Sequence, residues 1–163
     1  MSIALKMDVQ GAKELEKALN ELGDAALPTM RRALRNAAKP IADAAKIMAP
    51  TSPGGGELRN SIIIDVKPYR TDGGVYAKIG PASKSPAAHY AHLVESGTAP
   101  HSLAPKKRRL SRLFKKSRNA NVMHPGARAQ PFMRTAFDFN IGRAQEIIKK
   151  TIERKLARMR KGK

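Results

Sequence analysis

The chain has 163 residues, 41% of them hydrophobic, enough apolar material for one modest core and short for two domains. Thirty-two Lys and Arg against 13 Asp and Glu give a formal charge of +19, which points to a polyanion or an acidic protein surface as partner. Cysteine is absent, which excludes disulfides, thiolate metal sites and cysteine nucleophiles; with no Trp, three Tyr and four Phe, base-stacking platforms are poorly supplied.

No apolar run approaches the roughly 20 residues a membrane span needs, and Met1 to Gln10 lacks the basic start and apolar middle of a signal peptide. The expectation is a soluble protein made in a reducing cytoplasm, with no membrane partner. Its charge is unevenly placed. Residues 1–100 hold 13 bases and 10 acids (net +3), whereas residues 101–163 hold 19 bases and 3 acids (net +16).

In chain order, Ala12, Leu15, Leu19 and Leu22 recur at helical intervals within Gly11 to Leu22, and Gly23-Asp24 ends that amphipathic helix. A second helix is predicted to start near Pro28, with Met30, Leu34, Ala37, Ile41, Ala45 and Met48 on its inner face. Arg31, Arg32, Arg35, Lys39, Asp43 and Lys46 lie on the other. Pro40 inside it implies a kink, or a break into two shorter helices. The alanines of the inner face suit close packing on a sheet or on a neighbouring subunit.

Ala49 to Gly56 is a loop of Pro, Ser, Thr and Gly. It is no nucleotide loop, because Glu57-Leu58 replaces the Lys-Ser/Thr ending and no apolar strand precedes it. Two alternating runs follow, Ser61 to Lys67 and Gly74 to Gly80, joined by a stretch holding Asp72-Gly73, which reads as a β-hairpin. Ser85-Pro86 opens a short helix with Tyr90, Leu93 and Val94 on one face and Gly97 as its stop. Residues 99–130 are weakly periodic and heavily basic, an extended arm or long excursion. Pro131 opens the last helix, whose row is predicted as Met133, Phe137, Ile141, Ala144, Ile148, Ile152, Leu156 and Met159. Its length allows its tail to project or to pack on a neighbour.

The fold class is therefore α+β: a small antiparallel β-sheet packed by N-terminal helices and a long C-terminal helix, with an extended basic arm. Residues 1–163 read as one domain, divided into helices (1–50), hairpin and short helix (57–98), basic arm or long loop (99–130) and C-terminal helix with basic tail (131–163).

The chemical candidates are few. His89 and His92 stand three apart, with His101 and His124 further on, but no acid or thiolate completes a metal set. Glu95 beside Ser96 lacks the Gly-x-Ser-x-Gly turn of a nucleophile elbow, and reads instead as a partner for an arginine or a cap on backbone amides. No paired carboxylates suggest acid–base catalysis, so the expectation is no enzyme, no cofactor and no metal. The strongest local signal is Lys106 to Arg118, eight bases in thirteen residues interleaved with Leu110, Leu113 and Phe114. Lys106, Lys107, Arg108, Arg109, Arg112, Lys115, Lys116 and Arg118, with Arg154, Lys155, Arg158, Arg160, Lys161 and Lys163 of the tail, are the candidate contacts to DNA or to an acidic protein.

Four phrases in order resemble the tail-component family of lambda-like tailed bacteriophages, the gene-product-ten type of neck or tail-completion protein. They are Ala49-Pro50; Gly56-Glu57-Leu58-Arg59-Asn60-Ser61-Ile62; Tyr90-Ala91-His92-Leu93-Val94-Glu95-Ser96-Gly97-Thr98; and His124-Pro125-Gly126 followed by Pro131-Phe132-Met133-Arg134. The family pattern runs Ala-Pro, Thr-Gly-x-Leu-Arg-x-Ser-Ile, Tyr-Ala-x-x-Val-Glu-x-Gly-Thr and Pro-Phe-x-x-x-Ala, and the likeness spans roughly residues 8–140. The chain departs from it in the Gly run ending at Gly56 and in its unusually basic arm. Gly56, Leu58, Arg59, Ser61, Tyr90, Glu95, Gly97, Thr98, Pro131 and Phe132 are the motif residues, read as architecture.

The resemblance implies a structural virion protein of the head–tail junction, made in the host bacterial cytoplasm. It implies a ring of copies of itself, taken as six-fold. Its neighbours would be head-completion and tail-terminator or tail-tube proteins, with packaged DNA in the channel. The reading from another class is a nucleic-acid-binding protein without sequence preference, acting along DNA as a monomer or dimer.

Overall fold

A computed structural model describes residues 12–51, 55–69, 74–102 and 123–161. The elements in order are α1 (Ala12–Leu22), α2 (Ala26–Met48), α3 (Glu57–Ser61), β1 (Ile62–Pro68), β2 (Val75–Pro81), α4 (Ala91–Ser96), β3 (His101–Ser102), β4 (Met123–His124) and α5 (Phe132–Lys161). Single 3-10 turns, Gly23–Ala25 and Pro86–His89, lead into α2 and α4. The architecture is α+β, with a small two-stranded antiparallel sheet and a long C-terminal helix.

Two helices dominate. α2 has 23 residues and α5 has 30, which makes α5 about 45 Å long. They run antiparallel. Ala42 and Ala45 near the end of α2 share a cluster with Phe132 and Ala136 at the start of α5, whereas Ile152 and Leu156 near its end cluster with Leu22 and Ala26. Midway, Ala37 and Ile41 meet Ala144. Alanine at these inward turns lets the helix backbones approach closely, so the small side chains are spent on an interface inside the chain.

α2 starts at Ala26, two residues before the predicted start, because the 3-10 turn at Gly23–Ala25 already feeds it. Pro28 still falls in the first turn, where an amide has no helical partner to lose. The helix is continuous across Pro40, so the break foreseen as one outcome does not occur. The buried positions are Thr29, Ala33, Ala37, Ala38, Ile41, Ala42 and Ala45, while Met48, predicted inside, is exposed.

The hairpin is as predicted. Register runs from Ile62↔Pro81 to Pro68↔Val75, and the Tyr69 amide donates to the Gly74 carbonyl at 2.7 Å across its mouth. The Asp72-Gly73 pair assigned to the turn lies outside the described residues. Ile62 is the anchor of β1, 1% exposed in the central cluster, with Ile64 and Ile79 packed beside it. The sheet thus rests on α2, with one face turned out at Ile63 and Lys67.

α5 keeps the later part of its predicted row, with Ala144, Ile152 and Leu156 buried and Met133, Ile148 and Met159 packed beside the core clusters, and departs from it in the first turns. Its buried side chains are Phe132, Ala136, Ala144, Ile152 and Leu156, spaced by fours and eights, and Phe137 is exposed. A row of fours drifts about 40° per step around the helix, so the buried face of α5 turns from the central cluster at its start towards α1 at its end; a row begun one residue later at Met133 puts Phe137 about 100° off the contact. The end of the helix does not project. α1 and the start of α2 cover it through Ala18, Leu19, Leu22 and Ala26. Arg160 donates to both Glu21 carboxylate oxygens at 2.8 Å, fastening the tail to α1.

The excursion over 99–130 has a base that the sequence did not signal. His101 and Ser102 pair antiparallel with His124 and Met123, and the two imidazole rings stack at 5.0 Å. The predicted basic segment Lys106–Arg118 lies outside the described residues, as do Lys163 and part of the Gly-rich loop.

Since alanine sets the helix separation, Ala144→Leu is expected to overpack the mid-helix contact and cost about 1–3 kcal/mol. Urea denaturation followed by circular dichroism measures this, with Arg143→Gln on the exposed side of the same turn expected within about 0.5 kcal/mol of the parent.

Candidate functional site

The residues of the recurring phrases come together around the start of α5. α4 ends at Glu95-Ser96, and its Glu95 carboxylate accepts from the Met133 amide at 2.9 Å and from the Arg134 amide at 3.0 Å. These are first-turn amides of α5, which have no helical acceptor and carry the positive end of the helix dipole. A carboxylate from 38 residues upstream therefore caps the long helix. Of the two partners anticipated for Glu95, it takes backbone amides.

Gly97 makes the cap possible. Its φ of +71° and ψ of −179° fall in a region essentially restricted to glycine. A Cβ there would lie 2.6 Å from the Ala127 carbonyl oxygen, and one on Gly126, at φ +86°, 2.2 Å from the Thr98 carbonyl oxygen. Between these two close approaches, Thr98 and Ala127 exchange backbone hydrogen bonds at 2.9 and 3.1 Å. The Ala127 amide also donates to Thr98 Oγ1 at 2.9 Å, and the Gln130 amide donates to the Val94 carbonyl at 2.8 Å. Pro131 then gives way to Phe132, 3% exposed and plugged into the central cluster.

The second phrase is equally architectural. Gly56 precedes α3 and its carbonyl accepts from the Asn60 amide; Leu58 is buried; the Ser61 hydroxyl donates to the Leu58 carbonyl at 2.7 Å. Arg59 Nε donates to the Lys46 carbonyl at 3.0 Å, placing a cation at the negative end of α2. Tyr90 packs against the core, and its carbonyl accepts from Leu93 and Val94 to start α4. Leu93, predicted to share that inner face, is 43% exposed.

The cationic residues of the tail separate into two sets. Arg160 is engaged by Glu21, whose hydrogen bond and then whose charge raise the guanidinium further above its ordinary range. Arg154, Lys155 and Arg158 instead line a cleft of about 410 Å³ between α5 and α2, with Thr151 on the same wall. The opposite wall is Ala25, Pro28, Thr29, Arg32 and Asn36. Arg32, on the polar face of α2, was not among the predicted contacts; no local signal marks it, because the cations across the cleft begin at Arg154, 122 residues along the chain. Lys161 is exposed at the end of α5.

Of the remaining chemical candidates, His101 and His124 are brought together as the stacked pair between β3 and β4. His89 and His92 are exposed, and the His124 ring accepts the Gly126 amide at Nδ1. Among the described residues no three His, Asp or Glu side chains gather as a metal site would need. No helix among them is long and apolar enough to cross a membrane.

Residues 13–97 match the model of the bacteriophage HK97-gp10-like family, a family of candidate tail components. The chain belongs to this family. The match runs from α1 through Gly97 and takes in the Leu58-Arg59-Asn60-Ser61 and Tyr90-to-Gly97 phrases. No curated protein and no solved structure matches the chain. An HK97-gp10-like chain is a phage tail-component protein, and its motif residues here build the joint on which α5 is mounted.

Glu95→Ala removes the acceptor for two helix amides and is expected to lower stability by about 1–2 kcal/mol, with Glu95→Gln less severe. Gly97→Ala combines a forbidden backbone conformation with a collision and is expected to cost at least about 2 kcal/mol. Urea midpoints of the three variants test the order Gly97→Ala, Glu95→Ala, Glu95→Gln, from most to least destabilised.

Proposed function

We propose that this phage tail component is a structural protein of the head–tail junction, a neck or tail-completion protein, in which several copies close into a ring. The cationic third of each copy faces the packaged DNA or acidic surfaces of neighbouring head-completion and tail proteins. The observation that carries the reading is family membership joined to a net +16 on residues 101–163. A tail component sits beside the path of a densely charged polymer, and a chain carrying +19 needs anions close by.

Self-association has its own support in the surface. Ile47 is 74% exposed and Phe139 77%, with Ile63, Phe137 and Met123 also turned outward. The aromatic Phe137 and Phe139 on α5 are the residues we assign to contacts between copies, where aromatic side chains are enriched. The same copies must bring like charges together. Ring closure is thus opposed by repulsion that salt or a bound polyanion relieves, since screening lengths fall from about 10 Å at 0.1 M to about 3 Å at 1 M.

The expected behaviour of the purified chain is a shift from monomer to one closed oligomer as salt rises from about 0.05 to about 0.5 M, or on adding short duplex DNA at low salt. Sedimentation velocity reads this directly. A chain that stays monomeric at every salt concentration and with DNA present contradicts the ring. A monomer or dimer spaced along DNA is the signature of the nucleic-acid binder acting without a ring.

A further inference from the structure

The cleft between α2 and α5 has the composition of a ligand site. Arg32 enters from one wall and Arg154, Lys155 and Arg158 from the other, and no carboxylate is among the lining residues. The ion pairs formed among the described residues, Lys67–Asp65, Lys150–Glu146 and Arg160–Glu21, include none of these four cations. Four like charges converging on one recess repel one another, and folding gains nothing from that convergence. Arg160, one turn beyond on α5, shows the alternative: given a carboxylate within reach, the tail forms a bidentate pair.

We infer that this cleft binds the phosphates of a nucleic-acid backbone. Three of its four cations are arginines, whose planar forks match phosphate oxygens two at a time. Thr29, Asn36 and Thr151 add neutral hydrogen-bonding groups along the same walls. The stripe from Pro28 to Asn36 extends about 12 Å along α2, the reach of roughly three consecutive phosphates of one strand. What the lining lacks narrows the ligand further. It has no aromatic ring on which a base could stack, and its apolar members are Ala25 and Pro28, too small to form a pocket for the apolar anchors of a protein segment. Binding is therefore to backbone, without sequence preference.

This deepens the reading of the protein as a component beside packaged DNA, and rests on it for the source of the nucleic acid. The cleft is formed within one chain, so its binding is measurable whether or not copies close into a ring.

The test is a triple variant, Arg32→Gln, Arg154→Gln and Arg158→Gln, in the full chain with the Lys106–Arg118 segment intact. All three residues are exposed, and circular dichroism and the urea midpoint check that the fold is retained. A charge-matched control carries Lys78→Gln, Arg143→Gln and Lys149→Gln, exposed residues outside the cleft. Anisotropy of a labelled 30-base-pair duplex (about three helical turns) is followed over a salt series, with polyglutamate as the second polyanion. The cleft variant is expected to lose roughly 2–3 from the slope of log affinity against log salt, and the control less than about 1. Polyglutamate binding should change equally in the two variants. Equal duplex slopes in variant and control overturn the site. A loss of polyglutamate binding specific to the cleft variant overturns the nucleic-acid assignment in favour of an acidic protein. The ring is tested on the parent chain by sedimentation over the salt series without DNA, so failure of the site and failure of the ring are read separately.

Discussion

The close approach of two antiparallel helices is the constraint on which the other elements depend. Alanine at positions 37, 42, 45, 136 and 144 sets the separation of α2 and α5, and the hairpin, α1 and the α3–α4 region are each positioned against that pair. Larger side chains would push the helices apart and leave Ile62 and Phe132 without a common core. The arrangement also determines the surface. Burying the alanine face turns the arginine face of α2 outward, and antiparallel packing brings Arg32, from a near-neutral part of the sequence, opposite the basic end of α5.

A second constraint fixes where α5 begins. Thirty residues of helix need a defined start, and that start is assembled from distant parts of the chain: a carboxylate at the end of α4, two glycines that let backbones touch, and a short bridge between Thr98 and Ala127. Each residue in this joint is replaceable only at a cost to its neighbours. Pro131 and Phe132 complete it from the other side, one ending the bridge segment and the other filling the core beneath.

Much of this was legible in the sequence wherever a period was present. Alternation in Ile62 to Lys67 and Val75 to Gly80 marked the hairpin, and helical spacing marked α1, α2 and α5. On α5 the later row of Ala144, Ile152 and Leu156 was placed correctly, whereas its first two turns were placed one residue late, at Met133 and Phe137 in place of Phe132 and Ala136, so Phe137 falls on the wrong side. The two-residue strands at His101 and Met123 carry no period at all. Glu95 was readable as a partner for an arginine or a cap on backbone amides, and the choice was not, because its amides lie 38 residues downstream and no local spacing indicates them. Arg32 was invisible as a site residue for the same reason: on its own helix it is one of several solvated bases, and only tertiary packing gives it partners.

The protein thus combines a rigid two-helix scaffold with cations held on fixed walls, suited to lying against a polyanion in an assembly. The proposed place at the junction of head and tail draws on the cationic cleft and on membership of the phage tail-component family. Cryo-electron microscopy of assembled phage particles tests this most directly. The account predicts several copies of the α2–α5 pair around the channel axis between head and tail, with Arg32 and Arg158 turned to nucleic-acid density. Particles and assembly intermediates that lack the chain, or that hold it away from the junction with the cleft facing solvent, would contradict it.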